Sequence, residues 1–401
     1  MTTAQGTSEQ GHGGQGPVQG HCDPAFAAVR DVFERNFAEG REVGAAVAVY
    51  SGGRKVVDLW GGVADRRTGR EWREETPVFG FSCTKALTAT AALLLAERGA
   101  FDWDAPVTGW WPDFGAHGKD VVTNEHLFTH QAGLPAFARP VAAEEAADAE
   151  ALAAELAAQE PEWKPGTAHG YHALTYGWLA GHLVRHHAGM PAGEFVKKEF
   201  ARDLDLWVGS SDEVIERAAK LTNVRGIRNE DGPRAVDDDA RLNRLAEAYL
   251  DAGSRMNRSV NNPSPGKGGF NNPVVLRAGW PSAGVVATAR AFAAFYANLI
   301  AGRYVRPETL REGIRTRVSG EDLTLTVNSA FGLGFMRPSM VFFTPEAGRG
   351  SAFGHTGAGG AIGLGDLDAD LALAYLPNRI GDQLSGDLRA YRLVEAAYAS
   401  L

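Results

Sequence analysis

A serine and a lysine stand three residues apart at the start of a long apolar segment. Ser82 and Lys85 precede the run 86–98, which is rich in alanine and leucine and ends before Gly99. Alanine and leucine favour the helix, and glycine commonly follows a helix end. Residues three apart share one face of a helix, so the lysine amine can reach the serine hydroxyl. The run therefore predicts a helix that begins at a candidate nucleophile, Ser82.

Length and charge limit the class of protein and its partners. The chain has 401 residues, is 44% hydrophobic and has a formal net charge of -9. It is long enough for a large core and for two structural lobes. An acidic surface does not attract nucleic acid or an anionic membrane, and no window approaches the ~18 apolar residues of a membrane span. We expect a small-molecule acyl ester as substrate, and neither nucleic acid nor a membrane as partner. The sequence does not determine the oligomeric state.

The first residues differ from the rest of the chain. Residues 1–22 are rich in glycine and glutamine, and we expect a disordered tail. They lack the basic start and apolar centre of a secretory signal, so we expect a cytoplasmic protein. Cys22 and Cys83 are the only cysteines, which provide no disulfide framework.

The arrangement of elements predicts an α+β fold. Asp23-Pro24 starts an amphipathic helix that ends before Gly40, and the turn Gly52-Gly53 separates two strands. Strand-like pieces return in the last third of the chain. We therefore expect a discontinuous sheet domain and an inserted helical domain with substrate-side loops. Their predicted ranges are 23–115 with 280–401, and 116–279.

The irregular composition of residues 229–279 allows two interpretations. The segment is rich in charged residues, asparagine, proline and glycine. It is compatible with a long loop near a functional site and with a mobile surface loop. The length of the segment does not distinguish between these two interpretations.

A serine hydroxyl needs help to act as a nucleophile at neutral pH. Lys85 can serve as the base only if it is neutral, which burial would favour. A phenolate at Tyr171 could share or take over this role, and the sequence leaves the choice open. The glycine-rich strand edge at 353–360 could supply backbone amides to an oxyanion hole.

Three motifs together resemble a known superfamily. Ser82-x-x-Lys85, the turn at Tyr171 and His355-Thr356-Gly357 are similar to the motifs of serine β-lactamases and penicillin-binding proteins. Their order and spacing resemble class C β-lactamases and family VIII carboxylesterases in particular. The segment 127–135, LFTHQAGLP, is similar to the L-L-T-H-T-S-G-L-P of that superfamily. The resemblance implies a β-lactamase/transpeptidase-like fold, with an antiparallel sheet flanked by helices and a helical domain.

The resemblance also implies roles for individual residues. Ser82 would be the acylated nucleophile, and Lys85 and Tyr171 would transfer protons. The amides of Ser82 and Ala358 would form the oxyanion hole. The mechanism would need no metal and no cofactor, and the pair His182 and His186 lacks the H-E-x-x-H pattern of a metal site.

Two departures from the motifs concern the substrate. Ala173 stands where class C β-lactamases have the asparagine of Tyr-x-Asn, and His355 replaces the usual lysine of Lys-Thr-Gly. We expect Ala173, His355, Thr356 and Gly357 to contact the substrate. An imidazole is mostly neutral at pH 7, so a substrate carboxylate would be held less strongly.

These features predict a serine carboxylesterase acting on small or medium acyl esters. The alternative is a transacylase that moves an acyl group from an ester or thioester to an amine or alcohol in natural-product biosynthesis. A β-lactamase or D-peptidase fits the two departures less well. The chain has no G-x-S-x-G motif, which argues against the nucleophile elbow of an α/β-hydrolase.

Overall fold

An antiparallel sheet runs through the centre of the fold. The computed structural model describes residues 18–222, 245, 247–380 and 387–401. The strands are β1 Gln19–Cys22, β2 Gly44–Ser51, β3 Arg54–Asp65, β4 Arg70–Glu71, β5 Val78–Phe79, β6 Leu206–Val208, β7 Val285–Ala287, β8 Val318–Glu321, β9 Asn328–Phe331, β10 Ala352–Thr356, β11 Ile362–Asp366 and β12 Leu371–Pro377. In the central sheet the strand order is β1-β3-β2-β12-β11-β10, with β4 beside β3.

Helices cover both faces of this sheet. The α-helices are α1 Ala27–Ala38, α2 Thr84–Glu97, α3 Asn124–Phe128, α4 Ala149–Ala158, α5 Tyr176–Ala188, α6 Ala192–Glu199, α7 Asp212–Arg217, α8 Arg255–Asn261, α9 Pro273–Ala278, α10 Ala289–Ile300, α11 Pro307–Ile314 and α12 Leu388–Ala399. Alternate residues of β2 enter two different cores, Ala45 and Val47 on the side of α1 and α12, and Ala46 and Ala48 on the side of α10. The small, apolar composition of β2 follows from burial on both faces.

The sequence predicted the first helix and the first hairpin correctly. The helix starts with a short 3-10 turn, Pro24–Phe26, continues as α1 and is followed by Gly40 at φ +66°. Gly52 and Gly53 have φ values of +57° and +70° between β2 and β3. Two successive left-handed residues are what a tight hairpin turn requires, and glycine adopts them without strain.

The predicted disordered tail is wrong for its last residues. Gln19 to Cys22 form β1, which pairs with β3 in the register Gln19 to Trp60 and Cys22 to Val57. The backbone of β3 offers an edge that these residues fill, although their own side chains are largely exposed. Val18 precedes β1 without regular structure, and residues 1–17 of the predicted tail lie outside the described residues.

A second layer of helices and small sheets stands beside the central sheet. Helix α2 is buried on almost all sides and contacts α5 and α6. Strand β7 pairs with β5 and with β6, so a small sheet joins the predicted helical insertion to the flanking segments. The predicted division at residues 115 and 280 stays a prediction. Within the described residues, no helix has the length and apolarity needed to cross a bilayer.

The described part of 229–279 contains short helices, α8 and α9. The Ser254 hydroxyl accepts a hydrogen bond from the Asn257 amide at 3.0 Å and caps α8. Asn272 caps α9 in the same way through the Val274 amide. Such caps explain how helices begin in a sequence rich in serine, asparagine and proline.

Candidate active site

Ser82 lies in a tight turn that leads into α2. Residues 81–83 form one turn of 3-10 helix, and Phe81 has φ +50°, which is unusual for a bulky side chain. The Gly80 amide donates to Val285 O at 2.8 Å, and the Thr84 hydroxyl accepts from the Val285 amide at 2.8 Å. Strand β7 therefore fixes the backbone on both sides of Ser82.

The amine of Lys85 is buried next to the Ser82 hydroxyl. Its Nζ lies 3.2 Å from Ser82 Oγ and donates to the carbonyl oxygens of Ala173 at 2.7 Å and Ser282 at 3.0 Å. Lys85 is fully buried, and desolvation holds its pKa well below the ordinary value. No carboxylate within the described residues pairs with it, so this arrangement favours the neutral amine.

Tyr171 completes the polar cluster around Ser82. Its ring centre is 4.8 Å from Lys85 Nζ. Burial raises the pKa of its phenol, and the neighbouring Ser82 side chain lowers it by less. The phenol therefore stays protonated near neutral pH, and a phenolate at this position is disfavoured.

The backbone of residues 171–173 is bound by side chains from three other parts of the chain. The three consecutive amides donate, in order, to Asp322 Oδ1 at 2.9 Å, His130 Nδ1 at 3.2 Å and Ser259 Oγ at 2.9 Å. All three acceptor side chains are fully buried or nearly so. The turn that positions Tyr171 and the Ala173 carbonyl is therefore fixed at every residue.

The end of β10 passes directly against the Ser82 turn. A Cβ atom at Gly357 would lie 2.5 Å from Gly80 O, so only glycine allows this approach. Cys83 Sγ donates to the His355 carbonyl at 3.3 Å. Ala358 follows in a 3-10 turn and lines the same cavity as Ser82. The two residues predicted for an oxyanion hole therefore face one space.

The structure separates the two polar residues of the His355-Thr356-Gly357 motif. Neighbouring side chains of a strand point to opposite faces. Thr356 lines the cavity, and its hydroxyl donates to Val341 O at 3.4 Å. The His355 side chain is fully buried, its Nδ1 lies 2.6 Å from Thr356 O, and burial lowers its pKa to about 3. His355 is not among the described residues that line the cavity, and its ring centre lies 5.9 Å from that of Tyr171, so its contact with substrate stays a prediction.

The cavity beside Ser82 is small and apolar. Its volume is about 260 Å³, and Ala173 contributes to its wall. None of its described lining residues has a charged side chain. The described lining residues are Phe81, Ser82, Tyr171, Ala173, Leu174, Leu245, Tyr249, Met256, Val260, Asn261, Phe270, Ala283, Leu325, Met336, Val341, Thr356, Ala358, Gly359 and Ile380.

A buried arginine holds the turn that contains Ala358. The Arg389 guanidinium donates to Gly359 O at 2.7 Å and pairs with Asp387 at 2.6 Å and Glu42 at 3.0 Å. Gly360 has φ +105°, and a Cβ there would lie 2.6 Å from Asp387 Oδ2. The turn therefore requires glycine at position 360, and Arg389 stabilises it by binding the Gly359 carbonyl.

Comparison with known proteins places the chain in a family. A sequence model described as Beta-lactamase matches residues 29–398. The chain belongs to the β-lactamase family. A relative from Mycobacterium tuberculosis, named Esterase/beta-lactamase LipL, is 33% identical over 398 residues, which cover 95% of this chain and 89% of the relative.

Solved structures show that the β-lactamase fold extends over almost the whole chain. A family VIII carboxylesterase superposes with a TM-score of 0.81 and 32% identity, covering 96% of this chain and 100% of the other. A penicillin-binding protein homolog from Caulobacter crescentus gives 0.83 and 34%, with the same coverage. The predicted α+β fold, an antiparallel sheet flanked by helices with a helical domain, is therefore confirmed.

Several residues of this site were not predicted from the sequence. Ser259, Asp322 and Arg389 contact it from segments that lie far from the three motifs. Asp322 and Ser259 stand among other polar residues, and no spacing distinguishes them. The sequence contains one weak indication for Arg389. It stands among the apolar residues of a terminal helix, and a buried arginine needs a charged or polar partner.

Proposed function

We propose that this chain is a serine carboxylesterase that forms an acyl-enzyme on Ser82. The observation that carries the proposal is the buried Lys85 amine, 3.2 Å from Ser82 Oγ and without a carboxylate partner in the described part of the chain. The family supports it, since relatives are named esterase/β-lactamase and family VIII carboxylesterase.

Lys85 acts as the general base in this proposal. A neutral amine has two N–H donors and one lone pair. The carbonyls of Ala173 and Ser282 take the two donors, which turns the lone pair towards the Ser82 hydroxyl. The direction of the pKa shifts favours Lys85 over Tyr171, because burial lowers the pKa of the amine and raises that of the phenol.

The proposed reaction has two halves, acylation of Ser82 and hydrolysis of the acyl-enzyme. Ser82 Oγ attacks the acyl carbon of the ester while its proton moves to Lys85 Nζ. The amides of Ser82 and Ala358 stabilise the oxyanion. The carbon–oxygen bond to the alcohol breaks, and the alkoxide takes a proton from Lys85 through the Tyr171 hydroxyl. Water repeats the sequence on the acyl-enzyme, and the acid leaves as Ser82 regains its proton.

The cavity favours an uncharged acyl group of small or medium size. An apolar wall stabilises apolar acyl chains by the hydrophobic effect, at about 0.8 kcal/mol for each buried methylene. A β-lactam brings a carboxylate, and the described lining provides no cation for it. Thr356 uses its hydroxyl on Val341 O, and Ala173 offers no side-chain amide. These features favour esters over β-lactams.

Acyl transfer to an alcohol or amine would use the same acyl-enzyme. It differs from hydrolysis only in the nucleophile that attacks in the second half of the reaction. It stays the alternative prediction, and the ratio of ester or amide product to free acid in the presence of an added acceptor measures it.

The test uses short aryl esters and intact mass. We expect Ser82→Ala to lose turnover by ~10³-fold or more, and the wild-type protein to gain the mass of one acyl group. Cys83→Ala is the matched control, because the Cys83 thiol is buried and burial raises its pKa to about 12. Turnover that survives in Ser82→Ala, or that disappears in Cys83→Ala while the fold persists, would refute the proposal.

A further inference from the structure

Ser259 forms a bridge across the turn that holds Tyr171. Its hydroxyl accepts from the Ala173 amide at 2.9 Å and donates to the Tyr171 carbonyl at 3.2 Å. A hydroxyl can donate one hydrogen bond and accept others, so one side chain closes both ends of the turn. Asp322 and His130 only accept from this backbone, through the amides of residues 171 and 172. Ser259 is therefore the side chain that bonds both an amide and a carbonyl of 171–173.

Ser259 and the proposed base, Lys85, bind the same residue, Ala173. The same Ala173 residue whose amide binds Ser259 also presents its carbonyl oxygen to Lys85 Nζ at 2.7 Å. Ser259 is fully buried, so no bulk water can replace its hydroxyl without rearrangement. A shift of this turn would move Tyr171 and the acceptor of Lys85 together.

Helix α8, which contains Ser259, is fixed from its outer side. Glu162 accepts from Arg255 at 2.9 Å and from Arg258 at 2.8 Å. The Ser254 hydroxyl caps its first turn. The helix also places Met256 and Val260 in the cavity wall. A helix held this way can act as a rigid support for the turn.

We propose that Ser259 is a positioning residue for the reaction, holding the turn 171–173 so that Tyr171 and Lys85 keep their places at Ser82. Ser259 is not among the described residues that line the cavity beside Ser82. The proposal rests on the proposed function, because it assigns Ser259 an effect on the acyl transfer steps. A misplacement of reacting groups by about 1 Å can cost ~10²-fold in rate.

The test compares Ser259→Ala with the loss of a helix cap elsewhere in the fold. We expect Ser259→Ala to lower kcat by about 10-fold or more while KM changes by less than about 3-fold, since no substrate contact is removed. Asp148→Ala removes the cap that Asp148 Oδ1 gives to the Ala151 amide at the start of α4, and it should cost stability but leave kcat within about 2-fold. Ser259→Thr, which keeps the hydroxyl, should retain more of the wild-type kcat than Ser259→Ala. If Ser259→Ala does not fold, Ser259→Cys, which has a similar size and bonds weakly, replaces it.

The outcomes separate this inference from the function on which it rests. Wild-type kcat in Ser259→Ala would overturn the positioning role. Equal loss of kcat in Asp148→Ala and Ser259→Ala at matched loss of Tm would also overturn it. Loss of turnover in Ser82→Ala alongside such a result leaves the esterase proposal standing. Turnover that persists in Ser82→Ala overturns the esterase proposal itself.

Discussion

The guanidinium of Arg389 and the carbonyl oxygen of Gly359 are joined by a 2.7 Å hydrogen bond. Burial lowers the pKa of Arg389, but Tyr375, Glu42 and Asp387 outweigh it and leave the pKa above its ordinary value. A permanent charge thus lies beneath the turn that contains Ala358. The C-terminal helix α12 thereby reaches the proposed oxyanion hole.

Replacing Arg389 should weaken both stability and catalysis. We expect Arg389→Met to cost about 3–5 kcal/mol, because Glu42 would be left buried without its partner. We also expect kcat to fall by about 10-fold, because the Gly359 carbonyl loses its donor. Urea unfolding and steady-state kinetics measure the two effects.

Two further variants distinguish these effects. Arg389→Met combined with Glu42→Gln should regain part of the stability without regaining kcat, since the fully buried carboxylate of Glu42 is removed together with its partner. Arg70 donates to the carbonyls of Arg217 and Ala218, at 3.0 and 2.7 Å, and Arg70→Met should keep kcat. Full kcat in the double variant would contradict a role for Arg389 at the turn.

The hydroxyl of Tyr171 should matter more than a similar hydroxyl nearby. Both the Tyr171 and the Tyr176 ring lie near Lys85 Nζ, at 4.8 and 5.4 Å. The Tyr176 hydroxyl has no partner among the described residues, whereas the Ser82 side chain acts on the Tyr171 phenol and lowers its pKa. We expect Tyr171→Phe to lower kcat/KM by ~10²-fold or more, and Tyr176→Phe to leave it within about 3-fold. Similar losses in both variants would argue against proton transfer through Tyr171.

The buried amine of Lys85 should make stability depend on pH. Its pKa is lowered in the folded state, so the unfolded chain binds this proton more tightly. The free energy of unfolding should therefore rise with pH between the folded pKa and the unfolded pKa near 10.5, by at most about 1.4 kcal/mol per pH unit. Urea titrations of wild type and Lys85→Met at pH 7 and 9 measure it. A stability difference that does not change with pH would show that Lys85 is charged in the folded protein.

The size of the cavity should set the preferred acyl chain. Val260 lines it from α8, and Val260→Phe would fill part of its 260 Å³. We expect kcat/KM for a hexanoyl ester to fall by ~10-fold or more relative to an acetyl ester, because each methylene in an apolar pocket is worth about 1–3 kcal/mol. Ala297→Ser on the partly buried side of α10 is a distant control and should leave the ratio unchanged. An unchanged ratio in Val260→Phe would place the acyl group elsewhere.

The sequence predicted those parts of the molecule that depend on local patterns. Helix α1, the hairpin at Gly52-Gly53 and the start of α2 follow from spacing and glycine positions, and the structure has them. β1 was missed because its pairing comes from the edge of β3 and not from its own composition. When a strand depends on pairing with its neighbour, its own sequence carries little of the usual β-strand pattern.

The site could be predicted only where motifs mark it. Ser82, Lys85 and Tyr171 were named from the motifs, and the structure brings them together. Whether His355 or Thr356 faces the cavity depends on the phase of β10, and that phase is set by pairing with β11. The Ser259 bridge depends on contacts between residues 86 to 88 positions apart, which no local pattern records.

The shifted pKa of Lys85 is a property of the folded chain alone. In the unfolded chain this lysine is an ordinary exposed amine, and Ser82 is an ordinary hydroxyl. A fluorescent phosphonate that labels activated serines should therefore label native molecules and ignore unfolded ones. The intensity of that label would measure the amount of folded protein in a crude mixture. Ser82 would then report the folded fraction of a preparation.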